Sequence, residues 1–231
     1  MAPIKIDEIK DVSLSVIAGE EITLPTTVQV TYNNGSSGSV RVTWDEEAVQ
    51  QAIKTGVGSY ELNGEVEGGG TVKLQLTINP ENFVMNSSFE ENDRTMWNIQ
   101  YKNGTVPHTD FQYKSTDAKS GNYSLHFYSG EEVNFTVEQK ITGLEPGYYN
   151  LSMFLQGGDA NNSDMYLYAF AGGQEYKTQT FVNGWVNWSH PLVSDILVLD
   201  GTITIGASIK ADGGAWGSVD DFYLYKVKDI N

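Results

Sequence analysis

Two aspartates stand side by side in "GGAWGSVDDFYLY", residues 213–225, between a glycine-flanked tryptophan and an alternating aromatic run. Adjacent acids in that setting admit three chemistries: a catalytic carboxylate pair, the ligands of a bound cation, or a solvated turn. A glycosidase needs two carboxylates facing each other across a bond, roughly 5–10 Å apart. Asp220 and Asp221 are neighbours on one strand, so their side chains are expected to leave on opposite faces. Each would then need a distant partner such as Glu90 or Asp159, across a shallow surface that makes a poor catalytic cleft. A serine triad needs a histidine beside a nucleophile, and His108, His126 and His190 lie in no nucleophile-elbow context. Phosphate-binding loops are absent too. Catalysis is the weakest of the three readings.

A cation fits better. Ca²⁺ takes about six to eight oxygens from carboxylates and backbone carbonyls. "NSSFEE" spaces Ser88 and Glu90 by two residues, placing both on one face of a strand with Phe89 on the other. "KSGNYSL" is a glycine turn whose carbonyls, from Lys119 to Asn122, are free to point outward. Asp220 leaves the strand opposite in phase to Val219, and Asp221 is a weaker ligand candidate. Glu90 and Asp220 read equally as solvated strand ends. If they meet unpaired, however, their repulsion raises a pKa and costs stability, and a bound cation removes that cost. The balance favours a structural calcium.

Composition narrows the partners. The 231 residues include 14 basic and 30 acidic ones, a net charge of −16, which disfavours nucleic acid and anionic membranes. There is no cysteine, which excludes disulfides, thiolate metal sites and cysteine nucleophiles. No apolar run approaches the roughly 20 residues of a membrane helix. The start "MAPIKIDE" lacks the charged-then-apolar order of a signal peptide.

The elements that would hold these residues are strands. Aromatic residues divide the chain: residues 1–80 hold Tyr32, Trp44 and Tyr60, and residues 81–231 hold the other 24 of 27. The break is placed at Pro80, giving domains 1–80 and 81–231. In the first, "VSLSVIAG", "TVQVTY", "SVRVTW", "SYELNGEV" and "TVKLQLTI" alternate with period two between Gly and Asn turns, which suggests an immunoglobulin-like sandwich. "DEEAVQQAIKTG" is its one helical candidate, and Trp44 reads as core. The second segment, with "YSLHFY", "VNFTVEQKI", "YYNLSMFLQ", "DMYLYAFA", "TITIGASI" and "DFYLYKV", predicts another β-sandwich of eight or more strands. Tyr166, Tyr168 and Phe170 are expected to be packing.

Several of these motifs occur together and in order: "NSSFEE", "KSGNYSLHFY", "QKITGLEPGYYNLS", "GWVNW" and "GAWGSVDDFYLY". Over residues 84–227 the set resembles carbohydrate-binding modules of family 61, which accompany β-1,4-galactanases. Residues 5–79 resemble the bacterial immunoglobulin-like domains found as spacers in secreted glycanases. The resemblance implies an all-β chain, an immunoglobulin-like sandwich followed by a jelly-roll β-sandwich carrying a structural calcium. It also implies binding of β-1,4-galactan without catalysis, as a monomeric unit covalently linked to a catalytic domain outside this chain and working outside the cell or on its surface. A cell-surface adhesin or structural module for another glycan is the alternative.

A sugar offers C–H faces to rings and hydroxyls to amides and charges, and indole is the broadest platform. Trp216 has little local sequence able to bury it and leads the expectation, ahead of Trp97 and Trp188. Trp185 and Trp188 are three apart, so one of the two is expected in the core. Gln156, Asp159, Lys210, Arg94 and His108 are the polar rim candidates.

Overall fold

The computed structural model describes residues 3–230, and the chain divides into two compact units, residues 1–81 and 82–231. Both are built of strands, as the sequence predicts. Among the described residues no helix is long and apolar enough to cross a membrane.

The first unit comprises β1 (Ile6–Ile9), β2 (Val12–Ile17), β3 (Thr27–Tyr32), β4 (Ser37–Trp44), α1 (Glu46–Thr55), β5 (Gly58–Val66) and β6 (Thr71–Asn79), hydrogen-bonded in the order β1-β3-β4-β5-β6-β2. β4 pairs with β3 through residues 37–41 and with β5 through residues 42–44, so the sheet turns along this strand. That turn lets Val28 and Val30 of β3 pack on Val66 and Val72 of β5 and β6. Helix α1 is set by its ends. The Asp45 carboxylate accepts the Ala48 N–H at 3.1 Å, Glu46 and Glu47 fill the first turn, and Gly56 closes it at φ +84°. Trp44 is half-buried and donates its indole N–H to the Pro25 carbonyl at 2.7 Å. It is part of the packing, as expected.

The second unit holds β7 (Asn98–Tyr101), β8 (Thr109–Tyr113), β9 (Tyr123–Tyr128), β10 (Val133–Thr142), β11 (Gly147–Gly158), β12 (Asp164–Ala171), β13 (Gln174–Thr180), β14 (Gly184–Ser189), β15 (Leu192–Val198), β16 (Thr202–Ala211) and β17 (Trp216–Lys228). One sheet runs β13-β12-β16-β10-β7 and the other β14-β11-β17-β9-β8, with β15 also paired to β11. Alternation explains the sandwich. Val133, Phe135 and Val137 of β10, Leu151, Met153 and Leu155 of β11, and Ile203, Ile205 and Ala207 of β16 all point into one shared core. The residues between them face outward, Gln156 and Lys210 of the candidate site residues among them.

Two irregularities shape those outward faces. Between the pairs Phe154/Asp220 and Ser152/Tyr223, β17 spends one residue more than β11, and the extra residue is Asp221, at φ +48°. Between Leu155/Ser189 and Gly157/Gly184, β14 spends three residues more than β11. Val186 within that excursion has φ +60°, an unusual conformation for a β-branched side chain.

Candidate functional site

The acid pair sits on the first bulge, which changes its geometry from that of a regular strand. Asp220 is 0% exposed. One of its carboxylate oxygens accepts the N–H of Lys119 at 2.7 Å and of Ser120 at 3.4 Å, and the other accepts the Asp221 N–H at 2.8 Å. The Ser120 hydroxyl donates to Asp221 at 2.6 Å. The two carboxylates therefore reach the same turn, where a regular strand would send them apart. Glu90 arrives from the other side, its Oε1 accepting the N–H groups of Asn122 and Tyr123, each at 2.7 Å. Ser88 is half-buried in a turn, where a strand was expected, next to Ser87, whose carbonyl accepts the Phe222 N–H at 3.0 Å. A side chain on Gly121 would collide with the Glu90 carboxylate, at 2.5 Å from its Cδ, which explains the glycine.

The turn was expected to offer carbonyls; it meets both carboxylates with amides instead, and the Asn122 carbonyl accepts the Lys114 N–H at 2.8 Å. Burial, and then the charge on Asp221, push the Asp220 carboxyl up to about 7. No lysine or arginine side chain is bonded to Glu90, Asp220 or Asp221 among the described residues. An uncompensated oxygen-only donor set with a buried carboxylate suits a hard divalent ion. No three acidic or histidine side chains converge among the described residues, so a cation here would need further oxygens from backbone and water.

The second feature is a pair of indoles on the outward face of the β14-β11-β17 sheet. Gly184, Gly157 and Gly217 form one register row across these strands. Trp185 follows the row on β14, and Trp216 precedes it on β17, on opposite sides of the row and two strand spacings, roughly 10 Å, apart across the sheet. Each indole N–H is held by a carboxylate: Trp216 donates to Asp159 at 2.8 Å, and Trp185 to Asp117 at 3.1 Å. Burial alone would raise the Asp117 pKa, but hydrogen bonds from Lys114, Trp185 and Thr116 outweigh it and hold the carboxyl below its usual value. It therefore stays ionised as an anchor. Trp185 is 57% exposed, while Trp216 is half-buried with its ring lying along Gly158. Rigid, half-wet rings of this kind suit a ligand with flat apolar faces and hydroxyl edges.

Not every residue expected here is available to a ligand. Trp97 is core: it is 6% exposed, packs on Phe89 and Phe222 at ring distances of 5.2 and 4.8 Å, and donates its N–H to the Asn86 carbonyl. Gln156 faces outward as expected but is only 1% exposed. Its amide donates to the Asp117 carbonyl and accepts the Val186 N–H, so it braces the Trp185 excursion from beneath. His108 is likewise structural, with one ring nitrogen on the Val106 carbonyl, the other on the Asn134 N–H, and its ring against Tyr101 and Phe135. Arg94 donates twice to the Phe89 carbonyl and covers Phe111 and Tyr123. Lys210 is exposed on the other sheet, paired with Asn134 and Asp164. Trp188 is half-buried, edge-on to Phe154 at 6.4 Å, beside an open cavity of about 460 Å³ that it lines with Lys119, Phe181 and Asn187. Trp188 was expected at the surface and one of the pair Trp185 and Trp188 in the core; neither joins the core, and Trp185 is the more exposed of the two. Asp117 was missed altogether; the only sequence signal for it is a turn-rich "KSTDAKSG" between two strands.

A two-sheet all-β sandwich with ring platforms on an outward face defines a class of carbohydrate-binding β-sandwich modules. The chain is similar to the family 61 module TmCBM61, solved in complex with β-1,4-galactotriose, at 26% identity and a TM-score of 0.58, covering 64% of this chain and 99% of that one. It also aligns with the enzymatically active domain of tailspike protein 4 from bacteriophage CBA120, at 13% identity and a TM-score of 0.51, covering 67% of this chain and 23% of that one, a likeness of fold alone. The CBM22-1 xylan-binding domain of Paenibacillus barcinonensis Xyn10C aligns at 14% identity and a TM-score of 0.45, covering 65% of this chain and 97% of that one. Residues 9–69 match the Bacterial Ig-like domain (group 4) family. No curated protein matches the chain.

Proposed function

We propose that the second unit binds β-1,4-galactan, the neutral side chain of pectin, without cleaving it. In this reading it tethers a covalently linked endo-β-1,4-galactanase to its substrate outside the cell, as a monomer with the first unit as spacer. The observation that carries the reading is the likeness to a galactotriose-bound module, on a fold that holds two indoles by their N–H groups on one outward face. Affinity electrophoresis in native gels tests it. Potato galactan should retard the protein, while arabinan, xylan and cellulose should not, and salt should change little because the polymer carries no charge. Prolonged incubation should release no oligosaccharide above a heat-killed control. Equal retardation by all four polysaccharides would sink the galactan specificity.

We further propose that Asp220, with Glu90 or Asp221 as a second carboxylate and with Ser88 and backbone oxygens of Lys119 and Asn122, holds a structural Ca²⁺. A bound cation would offset the buried charge and fix the turn. An ion at a hundred times its dissociation constant adds about 2.7 kcal/mol to the folded state. For a domain of this size that moves the melting point by roughly 5–10 °C. Chelation should therefore lower the melting transition of the second unit and leave that of the first in place. Melting curves that coincide with chelator and with calcium, once metal analysis has shown the protein stripped, would rule the ion out.

A further inference from the structure

The outward face of the other sheet carries its own aromatic row, which neither the core nor the indole pair explains. Tyr166, Tyr168 and Phe170 of β12 alternate with the core residues Met165, Leu167 and Ala169, so they face away from the interior. Their rings touch in series, at 5.7 Å from Tyr166 to Tyr168 and 5.5 Å from Tyr168 to Phe170. The middle ring is locked and buried, 3% exposed, so it supports the row without offering a face of its own, and Lys177 lies over the Tyr166 ring at 5.1 Å. Tyr168 crosses β16 over Gly206, where a Cβ would come within 2.8 Å of it, and its hydroxyl donates to Glu138 at 2.6 Å. Phe170, at the end of the row, is 43% exposed. The glycine, the buried hydroxyl and the ring contacts make a fixed row of rings rather than loose surface side chains.

The surroundings indicate what would lie on it. Beside the row, the outward positions of β10 and β16 are Asn134, Thr136, Glu138 and Lys140, and Thr204, Gly206, Ser208 and Lys210. None is aliphatic, although a face that buries another protein normally includes aliphatic side chains. Charges balance here, with Lys140, Lys177 and Lys210 against Glu138, Asp164 and Glu175, in a chain whose net charge is −16. Rings bordered by hydroxyls, amides and neutralised charge suit an uncharged, hydroxyl-rich ligand.

We propose that this face is a second binding surface for a neutral β-linked hexose chain, on the side of the sandwich opposite Trp185 and Trp216. The proposal rests on the galactan reading for the identity of the sugar but on its own residues for the site. Two surfaces on one module would let a single polymer or two neighbouring ones engage at once, raising avidity without tighter single contacts.

The two surfaces can be told apart because the Tyr166–Phe170 face contains no tryptophan. Calorimetric titration of the full chain with galactohexaose should give two sites, while tryptophan fluorescence should follow one. In Trp185→Ala/Trp216→Ala the heat of one site should remain without a fluorescence change. In Tyr166→Ala/Phe170→Ala one site should remain with its fluorescence change, and retardation by polymeric galactan should fall at least fivefold. Phe170→Ala alone removes an exposed ring and serves if the double variant unfolds. A parental stoichiometry of one, with Phe170→Ala binding like the parent, would overturn the second surface and leave the first intact. A parent that gives no heat with galactan would sink the galactan reading and this proposal together.

Discussion

Trp216→Ala is expected to weaken galactan binding at least tenfold while the second unit stays folded. The indole is fixed twice, by its N–H on Asp159 at 2.8 Å and by its ring along Gly158, so little conformational freedom is lost when a sugar stacks on it. It is only half-buried and is absent from the core that joins the sheets, so its removal leaves no internal cavity. An anchoring ring of this kind typically carries about 2 kcal/mol of binding, a factor of roughly thirty. Trp185→Ala should act in the same direction, since Asp117 holds that ring in the same way. Asp159→Ala should cost less, because the ring survives and loses only its orientation. Native-gel retardation on galactan, with thermal melts of each variant, separates these outcomes. Parental affinity in Trp216→Ala would move the platform to Trp185 and Trp188, and an unfolded variant would make Trp216 a structural residue.

The strands that bury one regular face were legible in the sequence. In β12 and β16 every second residue is apolar, in β10 only the buried Gln139 breaks the alternation, and nothing in the register interrupts the count. The same count should have turned Tyr166 and Phe170 outward, because Met165, Leu167 and Ala169 already fill the inner phase. Ring size was weighed there over periodicity: Tyr168 does pack, at 3% exposed, whereas Phe170 at 43% does not. The Asp220–Asp221 pair shows the opposite failure. Alternation sends the two side chains apart, but the bulge at Asp221 brings both to Ser120, and a bulge depends on a partner strand far away in the chain.

Site residues were legible as types more than as places. Trp216 and Asp159 were both singled out, and the structure joins them by a hydrogen bond across 57 residues of chain. Trp97 ranked behind Trp216 but was also expected to reach a ligand, because it follows a polar loop. Its burial comes from Phe222, 125 positions later, and from a carbonyl on the 86–90 turn, neither of which local sequence reveals. Gln156 was given the correct outward phase, but the outward side at that point is roofed by Asp117 and Val186. An outward phase does not guarantee exposure where loops fold back over a sheet.

Gly157→Ala is expected to destabilise the second unit by several kcal/mol and to abolish galactan retardation with it. Gly157 has φ +151°, which an L side chain adopts only with strain. Its Cβ would run into the Trp216 carbonyl and lie 2.6 Å from Gly217 Cα, both backbone atoms that cannot swing aside. The constraint is mutual, because a Cβ on Gly217 would strike the Gln156 carbonyl and come 2.8 Å from an edge carbon of Phe127. Backbone strain and overpacking each cost about 1–3 kcal/mol, so together the penalty is on the order of 4 kcal/mol. Gly158→Ala is the informative contrast. Its Cβ would meet the Trp216 ring at 3.0 Å, a side chain that can tilt away, so the fold should persist while the platform is displaced. Denaturant titration of the two variants should show a large loss of midpoint for Gly157→Ala and a small one for Gly158→Ala, with galactan binding reduced in both. A Gly157→Ala variant as stable as its parent would mean that the close approach of β11 and β17 does not set the Trp216 platform.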